Sequence, residues 1–195
     1  MGKIYYIMGK SASGKDHIYA RLAAEKAFHL KKLVLYTTRP IREGEEDGKQ
    51  YFFVDEEQKE RFEKEGRLIE SRSYQTVHGI WTYFTADDGQ ISDGNGDYLG
   101  IGTLESFVQM QKYYGKDVMR PIYIEVEDGE RLLRAIKREQ QQQVPKYAEL
   151  CRRFLADQED FSEENIQKAG IQKRFQNIDL DNCVKEIINY INSIQ

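Results

Sequence analysis

The order of apolar and polar positions predicts alternating strands and helices at the start of the chain. Residues 4–8 form a short apolar run, and apolar positions recur at helical spacing from about residue 18 to residue 28. Residues 33–36 form a second apolar run, which we interpret as a buried strand. A strand, a helix and a strand in this order make one βαβ unit, so we expect a parallel sheet with helices on both faces.

Residues 37–97 have a different pattern, because they are polar and rich in Glu, Lys, Gly and Tyr. Short strand-like runs lie at residues 51–54 and 81–85, with a charged helix predicted over residues 56–64. Residues 93–97 form a turn cluster of Asp, Gly and Asn. We expect this whole segment to be a small lobe inserted into the main domain.

The alternating pattern returns after the inserted segment. It predicts strands at residues 98–102 and 121–126, a helix through Tyr114 with Thr103 as its N-cap, polar helices at about 128–142 and 146–160, a strand near Phe175 and a final helix. The 195 residues are enough for one domain. Its expected parts are a core of residues 1–36, 98–127 and 170–195, a lobe of residues 37–97, and a helical lid of about residues 128–165.

Composition narrows the class of protein. The net charge of -4 argues against a general surface for nucleic acid or membrane, since such surfaces carry a basic excess. Cys151 and Cys183 are far apart in the sequence, which makes a disulfide framework or a zinc site a poor interpretation. The sequence has no signal-peptide pattern and no apolar run of membrane-spanning length, so we expect a cytoplasmic protein.

A glycine-framed turn follows the first predicted strand. Four residues separate Gly9 from Gly14, and Lys15 follows at once, which is the spacing of a phosphate-binding P-loop. Backbone N–H groups of such a turn curl around a polyphosphate, and the positive end of the next helix adds to them. The predicted ATP-binding residues of this loop are Gly9, Lys10, Ser11, Ala12, Ser13, Gly14, Lys15 and Asp16.

Asp16 is an irregular residue in this loop. A Ser or Thr hydroxyl normally meets Mg²⁺ at this position. A carboxylate is a hard oxygen donor, so Asp16 is a candidate ligand that binds Mg²⁺ either directly or through water.

A second polar stretch suits the binding of another phosphate. Arg39 and Arg42 come directly after a predicted strand and are spaced to grip a phosphate between them. Tyr51 can donate a further hydrogen bond. Taken alone, the stretch is equally well interpreted as a solvated charged loop.

The order of the P-loop, a strand and the pattern Thr-Thr-Arg-x-x-Arg-x-Gly-Glu-x-x-Gly-x-x-Tyr resembles the guanylate kinase family. The resemblance covers nearly the whole chain. It implies a three-layer P-loop NTPase fold, and a lobe that closes over a nucleoside monophosphate. It also implies phosphorylation of GMP or dGMP by ATP, assisted by Mg²⁺.

The resemblance assigns roles at the acceptor site. It implies that Arg39, Arg42 and Tyr51 bind the phosphate of GMP, and that Glu70 accepts hydrogen bonds from N1 and N2 of guanine. A tyrosine-rich turn of the family is matched only in part by residues 78–83. Either Tyr83 or Trp81 is the expected phosphate contact there, and His78 is expected to be a surface residue.

The resemblance also assigns residues on the donor side. Arg134 and Arg138 share one face of a predicted helix, and Arg153 follows on the next, which matches the arginines of the family's lid. Asn177 matches an asparagine near the adenine of ATP. The expected catalytic residues are therefore Lys15, Arg39, Arg134, Arg138 and Arg153.

Three further positions depart from the family pattern. Leu35 stands where a small hydroxyl residue is expected near guanine, and Gly100 and Gly102 stand where aspartates are expected. These departures leave two alternatives open: a kinase that acts on another nucleotide or a phosphorylated sugar, and a non-catalytic module that binds phosphopeptides. We expect small-molecule nucleotides as partners of a monomer or a homodimer.

Overall fold

The computed structural model describes residues 2–25, 27–76, 79–92 and 96–194. Its elements in chain order are β1 (Ile4–Met8), α1 (Lys15–Ala24), β2 (Lys31–Lys32), β3 (Leu35–Thr37), β4 (Tyr51–Phe53), α2 (Glu56–Lys64), β5 (Leu68–Thr76), β6 (Gly79–Ala86), β7 (Tyr98–Gly102), α3 (Leu104–Tyr114), β8 (Met119–Glu125), α4 (Asp128–Gln140), α5 (Tyr147–Asp160), α6 (Glu163–Lys168), β9 (Arg174–Gln176) and α7 (Leu180–Ile194).

The core is a five-stranded parallel sheet in the order β2-β7-β1-β8-β9. Every residue of β1 is buried, and side chains of this strand alternate between the two faces. Tyr5 and Ile7 pack with apolar residues of α1 and α7 on one face. Ile4, Tyr6 and Met8 pack with residues of α3 on the other face. The predicted α/β fold, with a parallel sheet between helical layers, is confirmed.

The second sheet has four strands in the order β4-β3-β6-β5. β3 is parallel to β4, whereas β6 is antiparallel to both β3 and β5. The ring of Tyr36 stacks on Phe84 at 5.1 Å between centroids and meets Phe62 of α2 edge-on. The polar segment therefore has a small aromatic core of its own.

The single strand predicted at residues 33–36 is wrong. Leu33 still donates its N–H to the carbonyl of Leu99 in the core sheet at 2.9 Å. The next residue, Val34, bonds instead through both of its backbone groups to the side-chain amide of Gln90, at 3.0 Å each. The amide of Gln90 takes the place of a neighbouring strand, so the chain leaves β2 in one sheet and enters β3 in the other.

Most of the other elements agree with the pattern, with three differences. α1 ends at Ala24 rather than near residue 28, and neither α6 nor the full length of β5 was expected. The N-cap predicted at Thr103 is confirmed, since its side chain and that of Ser106 form a capping box. His78 and most of the predicted turn at residues 93–97 lie outside the described residues. Within the described ranges, every helix is too short or too polar to cross a membrane.

Candidate active site

The loop between β1 and α1 is a tight turn that leads directly into a helix. Ala12 and Gly14 have positive φ angles of 61° and 83°, and the N–H of Ser13 donates to the carbonyl of Lys10 at 3.2 Å. A Cβ atom at Gly9 would lie 2.6 Å from the carbonyl oxygen of Ile124, so the chain passes too close to β8 for any side chain. This is the geometry expected of a phosphate-binding turn.

Polar side chains of other elements form hydrogen bonds with the backbone of this loop. The side-chain amide of Asn177, which follows β9, donates to the carbonyl of Ser13 at 2.8 Å. Arg131 of α4 donates to the carbonyl of Ser11 at 3.0 Å, and the carboxylate of Asp157 accepts the N–H of Ser11 at 2.7 Å. The loop is thereby joined to α4, α5 and the end of β9.

Arg131 is a site residue that the sequence did not reveal. It is 1% exposed, and its guanidinium contacts the carboxylates of Asp128 at 2.6 Å and Asp157 at 3.4 Å. The sequence places it on a polar helix beside other arginines, so its spacing does not distinguish it from a solvated residue. Only its position one turn before the buried Ala135 indicates an inward direction.

The two lysines of the loop have different surroundings. The ammonium of Lys10 donates to the side chain of Gln158 at 2.7 Å and lies 3.6 Å from Asp128, so it is linked to the lid helices. The ammonium of Lys15 lies 3.9 Å from the carboxylate of Asp16. The side chain of Asp16 is 79% exposed, which leaves its oxygens accessible to a ligand.

A second cluster of candidate site residues lies around Arg39. The guanidinium of Arg39 is bound bidentately by Glu45, with N–O distances of 2.6 and 2.7 Å. This pairing is the main reason that the pKa of Glu45 falls to about 2. The guanidinium also lies over the rings of Tyr51 and Phe53, at 5.3 and 5.2 Å from their centroids. Arg39 is thus fixed in one position, charged and buried.

The Nε–H of Arg39 is buried and lacks a hydrogen-bond partner among the described residues. An unsatisfied buried donor is costly, and an N–H of a charged guanidinium forms its strongest hydrogen bonds with an anionic oxygen. The side chain of Arg42 is exposed, and its guanidinium lies 5.9 Å from the ring centroid of Trp81. Its backbone N–H donates to Glu45, so one carboxylate organises both arginines.

Tyr51 and Tyr83 complete this cluster, with their rings edge-to-face at 5.5 Å. The pKa of the Tyr51 hydroxyl is raised, mainly by burial. The charges of Arg39 and Arg72 lower that pKa, and the charge of Asp16 raises it. Tyr51 thus lies beside the guanidinium of Arg39.

The structure gives Glu70 close partners within the lobe. Its carboxylate, almost fully buried, accepts from Arg72 at 2.9 and 3.3 Å and from the hydroxyl of Thr85 at 2.8 Å. Arg72 also donates to the side chain of Thr103 at the end of β7, at 3.1 Å. Sequence reasoning missed Arg72, although its position two residues after Glu70 on a strand indicates that both side chains share one face.

Gly100 and Gly102 have a structural explanation. A Cβ atom would lie 2.7 Å from the ring of Tyr6 at Gly100, and 2.1 Å from the Tyr6 hydroxyl at Gly102. That hydroxyl is buried and bonds to the side chain of Ser106 at 2.8 Å. Burial is also the main cause of the raised pKa of Tyr6. The tyrosine fills the space that side chains on β7 would otherwise need.

The three predicted lid arginines lie on α4 and α5, and Arg134 contacts the residue that supports the donor loop. Arg134 donates to the carbonyl of Asn177 at 3.0 Å and to Glu130 at 2.8 Å. Arg138 and Arg153 line a cavity of about 130 Å³ between α4 and α5, which extends to Ser11. Arg153 also bonds to Glu149 at 2.8 Å.

The oxygen donors of the loop fit Mg²⁺ in one limited way. No group of three or more His, Cys, Asp or Glu side chains is arranged as a metal site within the described parts of the chain. Mg²⁺ in phosphoryl-transfer sites commonly has one or two protein carboxylates, with phosphate oxygens and water as its other ligands. The exposed carboxylate of Asp16 at the start of α1 suits that donor set.

Comparison with known proteins finds similarity to guanylate kinases. A family model described as guanylate kinase matches residues 1–87. The chain is 39% identical over 69 residues to a guanylate kinase of Legionella pneumophila, a match that covers 35% of this chain and 32% of the relative. The first relatives are therefore matched over about a third of their length.

Other relatives are matched over more of their length. A guanylate kinase of Wolbachia pipientis is 29% identical over 192 residues, which are 98% of this chain and 90% of the relative. The crystal structure of guanylate kinase from Anaplasma phagocytophilum has a TM-score of 0.67 at 20% identity. That comparison covers 100% of this chain and 86% of the other, so the two proteins share a fold over their length.

Proposed function

We propose that this chain belongs to the guanylate kinase family, to whose members it is similar, and that it transfers the γ-phosphoryl group of ATP to GMP or dGMP. The products are ADP and GDP or dGDP. The observation that carries the proposal is the pairing of two anion-binding clusters, one on the core and one on the lobe.

The donor loop holds the phosphates of ATP. Its backbone N–H groups and the first turn of α1 face the β- and γ-phosphates, and Lys15 adds a mobile positive charge. Asn177 contributes by fixing the carbonyl of Ser13. Asp16 would hold Mg²⁺, which would supply positive charge next to the phosphates.

The lobe cluster holds the phosphate of the acceptor. The unsatisfied Nε–H of Arg39 donates to a phosphate oxygen, while Glu45 keeps the guanidinium in place. Arg42, Tyr51 and Tyr83 add charge and hydrogen bonds at the same phosphate. Glu70 belongs to the part of this site that faces the base.

Catalysis then depends on position and charge rather than on a proton acceptor. Transfer requires the acceptor oxygen, the phosphorus and the leaving oxygen to lie in line. Arg134, Arg138 and Arg153 of the lid neutralise charge that spreads over the transferring group. We place this reaction in the cytoplasm, with nucleotides as partners and with the chain as a monomer or a homodimer.

Two variants separate the proposed roles of the clusters. Arg42→Ala should raise the KM for GMP about tenfold to a hundredfold and leave the KM for ATP unchanged, because it removes a charged hydrogen bond to the acceptor alone.

Lys15→Met should lower kcat about a hundredfold or more, because it removes a charge that faces the transferring group. The measurement is a coupled assay of ADP formation.

Lys64→Ala is the control, since Lys64 is an exposed lysine of α2 and should leave both constants unchanged. An Arg42→Ala variant that changes the KM for ATP but not the KM for GMP would contradict the assignment of the two clusters.

A further inference from the structure

Glu70 and Arg72 form a buried ion pair on β5. The side chains are 1% and 9% exposed, and the carboxylate binds both Nε and Nη2 of the guanidinium. Because the two residues are two positions apart, they stand on the same face of the strand. Desolvated, bidentate pairs of this kind have a defined geometry, so Arg72 is held in place by Glu70.

The pair lies where the four-stranded sheet meets the core. Arg72 is opposite Tyr83 in the register of β5 and β6, and Tyr83 packs on Tyr51. The Nη1 of Arg72 donates to the side chain of Thr103, the residue after β7. The charge of Arg72 also lowers the pKa of Tyr51, although burial keeps that pKa raised overall. Arg72 is therefore next to the cluster proposed to hold the acceptor phosphate.

The hydrogen bonds already made limit what the pair can still bind. Oε1 of Glu70 accepts from both Arg72 and Thr85, whereas Oε2 accepts only from Arg72 among the described residues. A carboxylate oxygen has about two acceptor positions, so Oε2 has one left. Three of the five N–H groups of Arg72 have partners in the described chain, which leaves two donors.

This inference rests on the proposed function. We propose that Arg72 is the residue that determines base specificity, by donating to O6 of a 6-oxopurine while Oε2 of Glu70 accepts the neighbouring N1–H. With one position left on its carboxylate, Glu70 cannot accept from N1 and N2 on two separate oxygens. Gly100 and Gly102 carry no side chain that could accept from the 2-amino group. In this proposal, therefore, no side chain recognises the 2-amino group.

The substrate class follows from the chemistry of the purine edge. Guanine and hypoxanthine both present O6 as an acceptor beside N1–H as a donor, and they differ only in the 2-amino group. Adenine presents a donor at N6 and an acceptor at N1, so both contacts are reversed. The site should accept GMP and IMP alike and exclude AMP.

The wild-type protein gives the direct test. Dissociation constants for GMP, IMP and AMP are measured by calorimetry, and kcat/KM with ATP and Mg²⁺ is measured for the same three. The dissociation constant and the kcat/KM of IMP should lie within about threefold of those of GMP. Both constants should be less favourable for AMP by more than about a hundredfold, because buried polar groups would be left unpaired. An IMP value at least tenfold weaker than that of GMP overturns the inference, because it shows that the 2-amino group is read.

A variant tests the role of Arg72 itself. Arg72→Gln retains a donor for Glu70 but removes the charge, and it should weaken GMP and IMP equally, by about tenfold. ATP binding should not change. The matched control is Arg61→Gln, an exposed arginine of α2 in the same lobe, which should match the wild type. Equal GMP affinity in Arg72→Gln and the wild type overturns the inference.

The two proposals fail in different ways. If the protein phosphorylates GMP but discriminates against IMP, the proposed recognition of the base by Arg72 and Glu70 is wrong, and the proposed function stands. If it neither binds nor phosphorylates GMP and IMP, both are wrong. Since the comparison of GMP with IMP uses the wild-type protein, a variant that fails to fold does not remove the test.

Discussion

Tyr6 determines the shape of the floor between the donor loop and the lobe. Its ring lies against Gly100, and its hydroxyl, bonded to Ser106, lies against Gly102. Both glycines have ordinary negative φ angles, so it is space and not backbone conformation that requires them. One bulky side chain on β1 thus explains two missing side chains on β7.

Gly102→Ala tests this packing. The added methyl group would lie 2.1 Å from the Tyr6 hydroxyl, so the free energy of unfolding should fall by about 1–3 kcal/mol through overpacking. Urea unfolding monitored by circular dichroism gives the value. Tyr6→Phe alone should cost about 1 kcal/mol, because it removes the hydrogen bond to Ser106.

The double variant Tyr6→Phe/Gly102→Ala is the control for this test. It should lose less than the sum of the two single variants, because removing the hydroxyl makes room for the methyl group. A Gly102→Ala protein as stable as the wild type would show that Tyr6 does not exclude a side chain there.

Single residues were predictable from the sequence where a motif fixes their spacing. The loop around Lys15 and the cluster of Arg39 and Tyr51 come from such motifs, and the structure brings their members together. Arg72 and Arg131 were missed, because an arginine in a polar segment looks the same whether it is solvated or buried. Arg72 pairs with Glu70 on the same strand and Arg131 pairs with Asp157 on the next helix, and it is tertiary packing that buries both pairs.

At the scale of elements, several polar contacts join α4, α5 and the donor loop, and Arg131 takes part in two of them. Arg131 bonds to Asp157 of α5 and to the carbonyl of Ser11, and Asp157 in turn accepts the N–H of Ser11. The lid helices and the phosphate-binding turn therefore share polar contacts. Movement of the lid during catalysis must change these contacts or carry the loop with it.

Arg131→Leu should lower the free energy of unfolding by about 3 kcal/mol, because it leaves the largely buried carboxylate of Asp157 without its cation. It should also weaken ATP binding, since Ser11 loses a support. Urea unfolding and calorimetry with ATP measure the two effects.

Arg152→Leu is the matched control for this variant. Arg152 is an exposed arginine of α5 paired with Glu149, and its removal should change stability by no more than about 0.5 kcal/mol. If both variants behave alike, Arg131 does not link the lid to the loop.

The elements themselves were largely predictable, since most helices and strands follow from local periodicity and from caps such as Thr103. The exception is the passage from β2 to β3, where an apolar run suggested one strand. The chain changes sheets there because Gln90, more than fifty residues away, bonds to both backbone groups of Val34. A contact so distant in sequence leaves no local pattern.

At the scale of the whole molecule, each sheet carries one half of the proposed reaction. The parallel sheet presents the donor loop at the end of β1, and the lobe sheet presents Arg39, Tyr51 and Tyr83. Transfer requires the two halves to bring their phosphates into line, so the lobe and the lid must close over bound nucleotides. The division of the chain into core, lobe and lid remains a prediction that fits this role.

The direct measurement is the product formed from ATP, Mg²⁺ and GMP by the purified protein. Chromatography should show GDP and ADP appearing in equal amounts, with dGMP giving dGDP in the same way and AMP giving no diphosphate above background. If the protein forms no GDP from GMP and no dGDP from dGMP, the assignment as a guanylate kinase is contradicted.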